Sequence, residues 1–229
     1  MRQLRREKER AKNLLLNVMP KAVYEELKDY GVTTPTRYDK VPVVMLDFVG
    51  FTAMTVSSDP VQLVSELNDI FTSFDRIVEQ FGCVRIKTIG DGYMAESGLP
   101  EPNPDHAHNI ARAAVLFRRY IRERNRSSQV SWQCRIGVAT GPVIGSMIRV
   151  QKYVYDIFGP GVNHAARMEA LSEPMEITLF ETTADLINTD FNLEDAGEAE
   201  VKGFGTQRLF KLPRYAERRK RPDMRNYLH

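Results

Sequence analysis

The sequence predicts an α+β fold, and three observations carry that expectation. The apolar run Val41-Pro-Val-Val-Met-Leu46 is short enough for a buried strand, residues 64 to 81 carry apolar side chains at helical spacing, and Asp91-Gly92 is a tight-turn signal between two strand-like runs. Strand, helix, hairpin, helix and strand in that order form a ferredoxin-like βαββαβ core, one sheet with helices on one face. Extra C-terminal α/β elements and an N-terminal helical segment complete the expected architecture.

Each element has a local reason. Residues 1 to 30 pair a charged stretch with Leu4, Ala11 and Val18 at seven-residue spacing, a short heptad signal. Pro20 suits the first turn of a second helix, Lys21 to Asp29, which Gly31 can close in a left-handed cap. Thr33 to Tyr38 reads as a linker. The long helix opens at Asp59 as N-cap with Pro60 next, places Val64, Leu67, Phe71, Phe74, Val78 and Phe81 on one face, and stops at Gly82. Cys83 to Ile89 alternates as a half-buried strand, and Tyr93 to Glu96 returns beside it. Asn103-Pro104 starts another helix through Ile110, Ala114, Phe117 and Ile121. Strands follow near Ser131 to Ala139 and Val143 to Val150, with Gly141-Pro142 as the turn between them. The remainder reads as a helix near Val162 to Leu171, a strand near Glu176 to Phe180, a helix near Thr182 to Ile187 and a strand near Arg208 to Leu212. These patterns divide the chain into a helical lead-in and linker (1–40), a main domain (41–213) and a basic tail (214–229).

Composition narrows the function classes. With 229 residues and 42% hydrophobic content, one sizeable core is expected. The 32 basic and 30 acidic side chains leave a net charge of +2, which argues against nucleic acid as a partner of the whole chain. No window approaches the roughly 18 apolar residues of a membrane span and no signal-peptide core is present, so a cytoplasmic setting is expected. Cys83 and Cys134 lie in apolar runs without metal-ligand spacing and read as inert buried thiols. His164 has no second histidine at metal-ligand spacing and reads as a packing or surface residue, and His106 and His108, near a helix start, read as solvated rather than liganding. Arg218 to Arg221 reads as a solvated tail.

Two carboxylates stand out. Asp47 ends a buried strand and precedes Phe48-Val-Gly-Phe-Thr52, a turn whose backbone N–H groups could hold a polyphosphate. Asp91 sits at the hairpin, and if that hairpin pairs beside the Asp47 strand the two carboxylates converge. Hard oxygen ligands with open positions suit Mg²⁺ bridging phosphate oxygens. Taken singly, Asp47 reads as a strand-end cap and Asp91 as an Asp-Gly turn residue.

Their surroundings add a resemblance. Leu46-Asp-Phe-Val-Gly-Phe-Thr52, Ile86-Lys-Thr-Ile-Gly-Asp-Gly-Tyr-Met94, Arg135-Ile-Gly-Val-Ala-Thr-Gly-Pro142, Tyr155-Asp-Ile-Phe-Gly159, Val162-Asn-His-Ala-Ala-Arg-Met168 and Val201-Lys-Gly203 resemble, in order, segments of class III adenylyl and guanylyl cyclases. The resemblance implies that Asp47 and Asp91 bind two divalent ions, Mg²⁺ or Mn²⁺. It implies that Lys87 and Asp156 select the base, a combination that resembles adenylyl rather than guanylyl cyclases. Lys⁺ donates to the adenine N1 acceptor and a carboxylate accepts from the N6 amino group. Asn163 and Arg167, four apart on one helix face, are assigned the ribose and the α-phosphate. Lys202 is assigned the β- and γ-phosphates. The implied activity is ATP to 3′,5′-cyclic AMP and pyrophosphate, in a head-to-tail homodimer with two composite sites. The lead-in resembles a coupling segment below an upstream sensor. Guanylyl or mixed specificity, and a catalytically silent nucleotide-binding domain, stand as the alternatives. His164 departs from the small or apolar residue the resemblance leads one to expect after Asn163.

Overall fold

The computed structural model describes residues 2–16, 19–128, 130–149 and 153–213. The basic tail lies outside the described residues, and so do the side chains of Leu4, Ala11 and Val18 on which the heptad rests. Helices α1 (Arg2–Leu16) and α2 (Lys21–Tyr30) lead into β1 (Thr36–Phe48), α3 (Phe51–Ser57), α4 (Pro60–Gln80), β2 (Cys83–Ile89), β3 (Gly92–Ser97), α5 (His106–Arg124) and β4 (Cys134–Arg149). Then come β5 (Tyr153–Phe158), α6 (Pro160–Leu171), β6 (Ile177–Phe180), α7 (Glu181–Ile187), β7 (Glu194–Val201) and β8 (Gly205–Lys211). The strands form one sheet in the order β2-β3-β1-β4-β6-β8-β7, with β5 paired to β4 off that path. The first four strands are antiparallel neighbours, as the ferredoxin-like expectation requires; β6 then adds parallel to β4.

The period-2 alternation of β1 divides the core. Val44, Leu46 and Phe48 face α4 and α5 and join a cluster with Leu67, Phe74, Ile110 and Phe117. Val43 faces the other side, with Met94, Tyr155 and Ile157 and with Ala165 and Met168 of α6. α2 packs there too, through Val23, Tyr24 and Leu27. Helices therefore cover both faces of the sheet, which corrects the one-face expectation.

The helix α4 begins as expected, Asp59 accepting from the Val61 N–H at 3.0 Å with Pro60 at the first position. Its buried stripe is Leu63, Leu67, Ile70, Phe71, Phe74, Ile77 and Val78, whereas Val64 is 48% exposed, so the buried face is rotated from the one read off the sequence. The segment Thr33 to Tyr38 is a linker only to its third residue, because Thr36, Arg37 and Tyr38 pair with Gly145, Ile144 and Val143. Asn103 does not start α5; it holds the entry, its Oδ1 accepting from the Asp105 N–H at 2.9 Å.

The largest correction concerns Gly141-Pro142, which is no turn. β4 runs unbroken through it, and the register to β1 shifts between Tyr38 and Val41, so Pro142, which has no N–H to give, sits at a bulge. The hairpin partner of its second half is β5, on which Asp156 lies. Strand β7 and helix α3 were also not foreseen.

Helix α6 packs on β4 through Ala165 and Met168 and, where glycines meet, through bare main chain. A Cβ on Gly137 would stand 2.0 Å from the Glu169 backbone nitrogen, and Gly141 and Gly161 approach so that a Cβ on either would meet the other's backbone within 3.1 Å. This main-chain contact fixes the helix that carries Asn163 and Arg167.

Candidate active site

Asp47 is the penultimate residue of β1, and β3 pairs with it so that Leu46 faces Tyr93. The β2–β3 turn is centred on Gly90-Asp91, one residue earlier than the Asp-Gly signal suggests, because Ile89 pairs with Gly92 and Gly90 takes φ 61°. Asp91 is thereby delivered beside Asp47: a Cβ on Gly92 would lie 3.7 Å from Asp47 Oδ1. Burial and then the Asp47 charge push the Asp91 carboxyl above the usual carboxylate range, although the Phe48 N–H donates to it. Two acidic groups that repel each other at a glycine-lined strand end fit a pair of hard divalent cations. Among the described residues no group of three or more His, Cys, Asp or Glu could hold a metal, so the remaining ligands would be phosphate or backbone oxygens and water.

The strand opposite contributes a cation that sequence reasoning did not single out. Arg135 on β4 is the register partner of Asp47, and its guanidinium donates to Asp47 Oδ2 at 3.1 Å. Its Nε also lies 3.0 Å from Glu169 Oε1 on α6. Burial raises the Glu169 pKa, and Arg135 opposes that rise. The signal was available in the Arg135-Ile-Gly segment, but only the strand register shows which carboxylate the arginine meets.

The expected phosphate cradle is narrower than Phe48 to Thr52. The Phe48 ring is buried against Trp132 at 4.9 Å, edge to face, and the Val49 N–H donates to Gln133 O at 2.8 Å. Gly50, at φ 73°, turns the chain into α3, leaving Gly50 and Thr52 exposed beside Asp47, while the Phe51 side chain packs back against the core with its ring centroid 6.3 Å from that of Trp132.

Lys87 and Asp156, 69 residues apart, meet. Lys87 Nζ donates to Asp156 Oδ2 at 2.5 Å, and Asp156 Oδ1 accepts from the Ile157 N–H at 2.9 Å. The carboxylate is 8% exposed and the lysine side chain 33%; Nζ also stands 5.9 Å from the Phe158 ring centroid. Asn163 and Arg167 share one side of α6, about 40° apart by helical geometry and turned away from Gly161, Ala165 and Met168, which face the sheet. Lys202 is exposed in the β7–β8 turn. Within one chain, then, the Asp47–Asp91 pair and the Lys87–Asp156 pair are each assembled, while Asn163 and Arg167 face outward from the sheet.

The other sequence expectations resolve simply. Cys83 and Cys134 are buried free thiols, pushed up to about 12 by burial. His106 and His108 are half-buried rather than solvated as expected, because His106 Nδ1 lies 2.5 Å from Asn103 O and His108 Nε2 2.9 Å from Asp190 Oδ2. Among the described residues no helix is long and apolar enough to cross a membrane.

Comparison with known proteins points in one direction. Residues 33–214 match the adenylate and guanylate cyclase catalytic domain family. The chain is 38% identical over 212 residues to human atrial natriuretic peptide receptor 2, covering 90% of this chain and 20% of the receptor. It is 33% identical over 207 residues to an adenylate cyclase of Mycobacterium tuberculosis, covering 90% of this chain and 47% of that protein. The chain thus spans about a fifth and about half of these two curated relatives. Among solved structures, the guanylate cyclase domain of RhGC from Catenaria anguillulae with GTP superposes with a TM-score of 0.75 at 27% identity, over 80% of this chain and all of that one. A rhodopsin-guanylyl cyclase catalytic core with converted specificity, in complex with ATPαS, gives 0.74 at 28% identity, over 79% and 98% of the two chains.

Proposed function

The chain belongs to the adenylate and guanylate cyclase catalytic domain family, and on that footing we propose that it converts ATP to 3′,5′-cyclic AMP and pyrophosphate in composite sites of a head-to-tail homodimer. Relatives of both base specificities are found, so the choice of ATP rests on the Lys87–Asp156 pair, the single observation that carries it. A buried carboxylate held by one backbone N–H, beside the Lys87 ammonium, presents one acceptor and one donor side by side. Adenine offers the complementary edge, N1 accepting and the N6 amino group donating; guanine offers the reverse at those two atoms.

Each remaining residue has a task. Asp47 and Asp91 would hold two divalent ions, Mg²⁺ or Mn²⁺, whose bound chemistry is Lewis-acid activation of the ribose 3′-hydroxyl and neutralisation of the triphosphate. Asn163 orients the ribose by hydrogen bonding. Arg167 meets the charge that builds on the α-phosphate as the 3′-oxygen attacks in line and the bond to pyrophosphate breaks. Lys202 neutralises the β- and γ-phosphates. The 3′-hydroxyl proton is lost to water, and no covalent enzyme intermediate is required.

The dimer is supported by what α6 and the β4–β5 arm leave uncovered. Asn163 and Arg167 turn away from their own sheet, and Ile144, Ile148, Val154 and Phe158 form an apolar stripe, each between 37% and 44% exposed, on the arm that carries Asp156. A second copy set head to tail covers that stripe and brings its carboxylates to these residues, giving two equivalent sites. We further propose that the domain is the output end of a longer, cytoplasmic signalling protein, consistent with the small share of its relatives that it spans.

The test is cyclic nucleotide formation from ATP and from GTP with Mg²⁺ or Mn²⁺. Cyclic AMP is expected as the main product, with Asp47→Ala lowering the rate about 10³-fold or more. Lys87→Glu/Asp156→Cys is expected to shift preference toward GTP. Preference of the unaltered chain for GTP overturns the base assignment; full activity of Asp47→Ala overturns the two-metal site.

A further inference from the structure

His164 follows Asn163 on α6, and its ring is held between two phenylalanines. The imidazole stacks on Phe180 at 4.3 Å, 18° from parallel, and lies 3.7 Å from the Phe204 ring. A ring N–H donates to the Pro160 carbonyl one turn back, and burial holds the imidazole below its usual pKa despite that bond, favouring the neutral form. Phe204 closes the β7–β8 turn: its N–H donates to Val201 O at 2.8 Å, leaving Lys202 and Gly203 as the two central residues, with Gly203 at φ 88°. Val201 is buried at 1% exposure, and Gln207 Nε2 donates to the Phe204 carbonyl at 2.7 Å. Lys202 therefore stands on a turn whose first residue is sunk in the core and whose last residue is clasped by a side chain from the helix that carries Asn163 and Arg167.

We propose that His164 is a positioning residue that fixes the Lys202 turn against α6, setting the lysine's distance from Asn163 and Arg167. This rests on the assignment of Lys202 to the β- and γ-phosphates. The stack explains why an imidazole stands at a position where an aliphatic side chain would suffice for packing: a flat ring can lie between two other rings and still tether itself to the Pro160 carbonyl. Losing the ring frees the turn to move, so that Lys202 spends less time where the phosphates need it.

The experiment is a double-mutant cycle in the full chain. His164→Ala, Lys202→Ala and the double variant are compared by kcat and KM for ATP, and by inhibition with pyrophosphate and with a 3′-deoxyadenosine lacking phosphates. His164→Ala is expected to weaken pyrophosphate inhibition and kcat/KM by about tenfold, within the range for coupled neighbours. Inhibition by the nucleoside should be unchanged, and His164→Phe should restore most of the loss. In the Lys202→Ala background, His164→Ala should have no further effect. Independent, multiplying effects of the two substitutions overturn the positioning role while leaving Lys202 in its place. If Lys202→Ala alone changes neither kcat/KM nor pyrophosphate inhibition, the phosphate assignment itself fails. Equal weakening of nucleoside and pyrophosphate by His164→Ala would mean general loosening of α6, and also overturns the proposal.

Discussion

Replacing Glu96 by glutamine should make the protein more stable at alkaline pH and change little in acid. Glu96 lies in the middle of the sheet on β3, paired with Val43 and Val84, and is 1% exposed. The Leu99 N–H donates to its carboxyl, but Oε2 has no hydrogen-bond partner among the described residues, and neither does the nearby Tyr155 hydroxyl. Tyr38, Tyr155 and Cys83 are the titratable groups that feel its charge. Burial pushes its pKa from 4.5 to about 8. Because the folded value is raised, the folded chain holds this proton more tightly than the unfolded chain. The stabilisation is therefore complete below pH 4.5 and is lost as pH climbs to about 8. One proton corresponds to about 1.4 kcal/mol per pH unit, so the loss across that window reaches roughly 3 to 5 kcal/mol, a large share of the ~5–15 kcal/mol that holds a typical domain together. Glutamine keeps the shape and never ionises. Urea denaturation of both proteins between pH 5 and 8.5, with equal m-values as the check on comparability, measures the effect. Taking the difference between the curves cancels every other group that titrates in the range. Two curves that stay parallel from pH 5 to 8.5 would refute the reasoning.

Other substitutions test separate contacts. Gly137→Ala places a methyl group into the α6 backbone at Glu169, so thermal unfolding should reveal a loss of about 3 kcal/mol or more; an unchanged Tm refutes the close helix–strand contact. Arg135→Ala removes the cation between Asp47 and Glu169; it should destabilise the metal-free protein by about 1 kcal/mol and increase the rise in Tm on adding Mn²⁺, and a metal response no larger than that of the unaltered chain argues against the carboxylate cluster. Lowering the pH should weaken activation by Mg²⁺ at pH values above the ordinary aspartate range, because the raised pKa of Asp91 lets protons compete with the ion there; a metal response independent of pH down to that range contradicts it.

What could be read from the sequence was local. Asp59-Pro60, the hairpin turn and the apolar strand at Val41 to Leu46 carry their reasons within a few residues, and all appear, the turn one residue earlier than its Asp-Gly signal. Gly141-Pro142 misled because the dipeptide suits a turn as well as a bulge, and only the pairing of β4 with β1 decides between them. Strand β7, Glu194 to Val201, has hardly a buried side chain before its last residue and exists because β8 pairs with it, so no hydrophobic period could announce it. The same distinction holds at the site. Asp47 and Asp91 could be brought together on paper from a strand and an adjacent hairpin, whereas the Arg135–Glu169 contact joins a strand to a helix on its far side and required the tertiary arrangement.

The bare backbone seam between β4 and α6 has a consequence for how such a domain can change. Where a helix is seated through side chains, each substitution in the interface nudges it, and any catalytic group it bears drifts with the repacking. Here part of the seat is main chain: a Cβ at Gly137 would collide with the Glu169 backbone, and Gly141 and Gly161 meet at close contact, so substitutions at the neighbouring apolar positions have less leverage on Asn163 and Arg167. Lys87 and Asp156, on β2 and β5, lie outside that seam. Under the roles proposed above, base preference would be open to change at two side chains that the seam does not hold, while the groups on α6 stay seated.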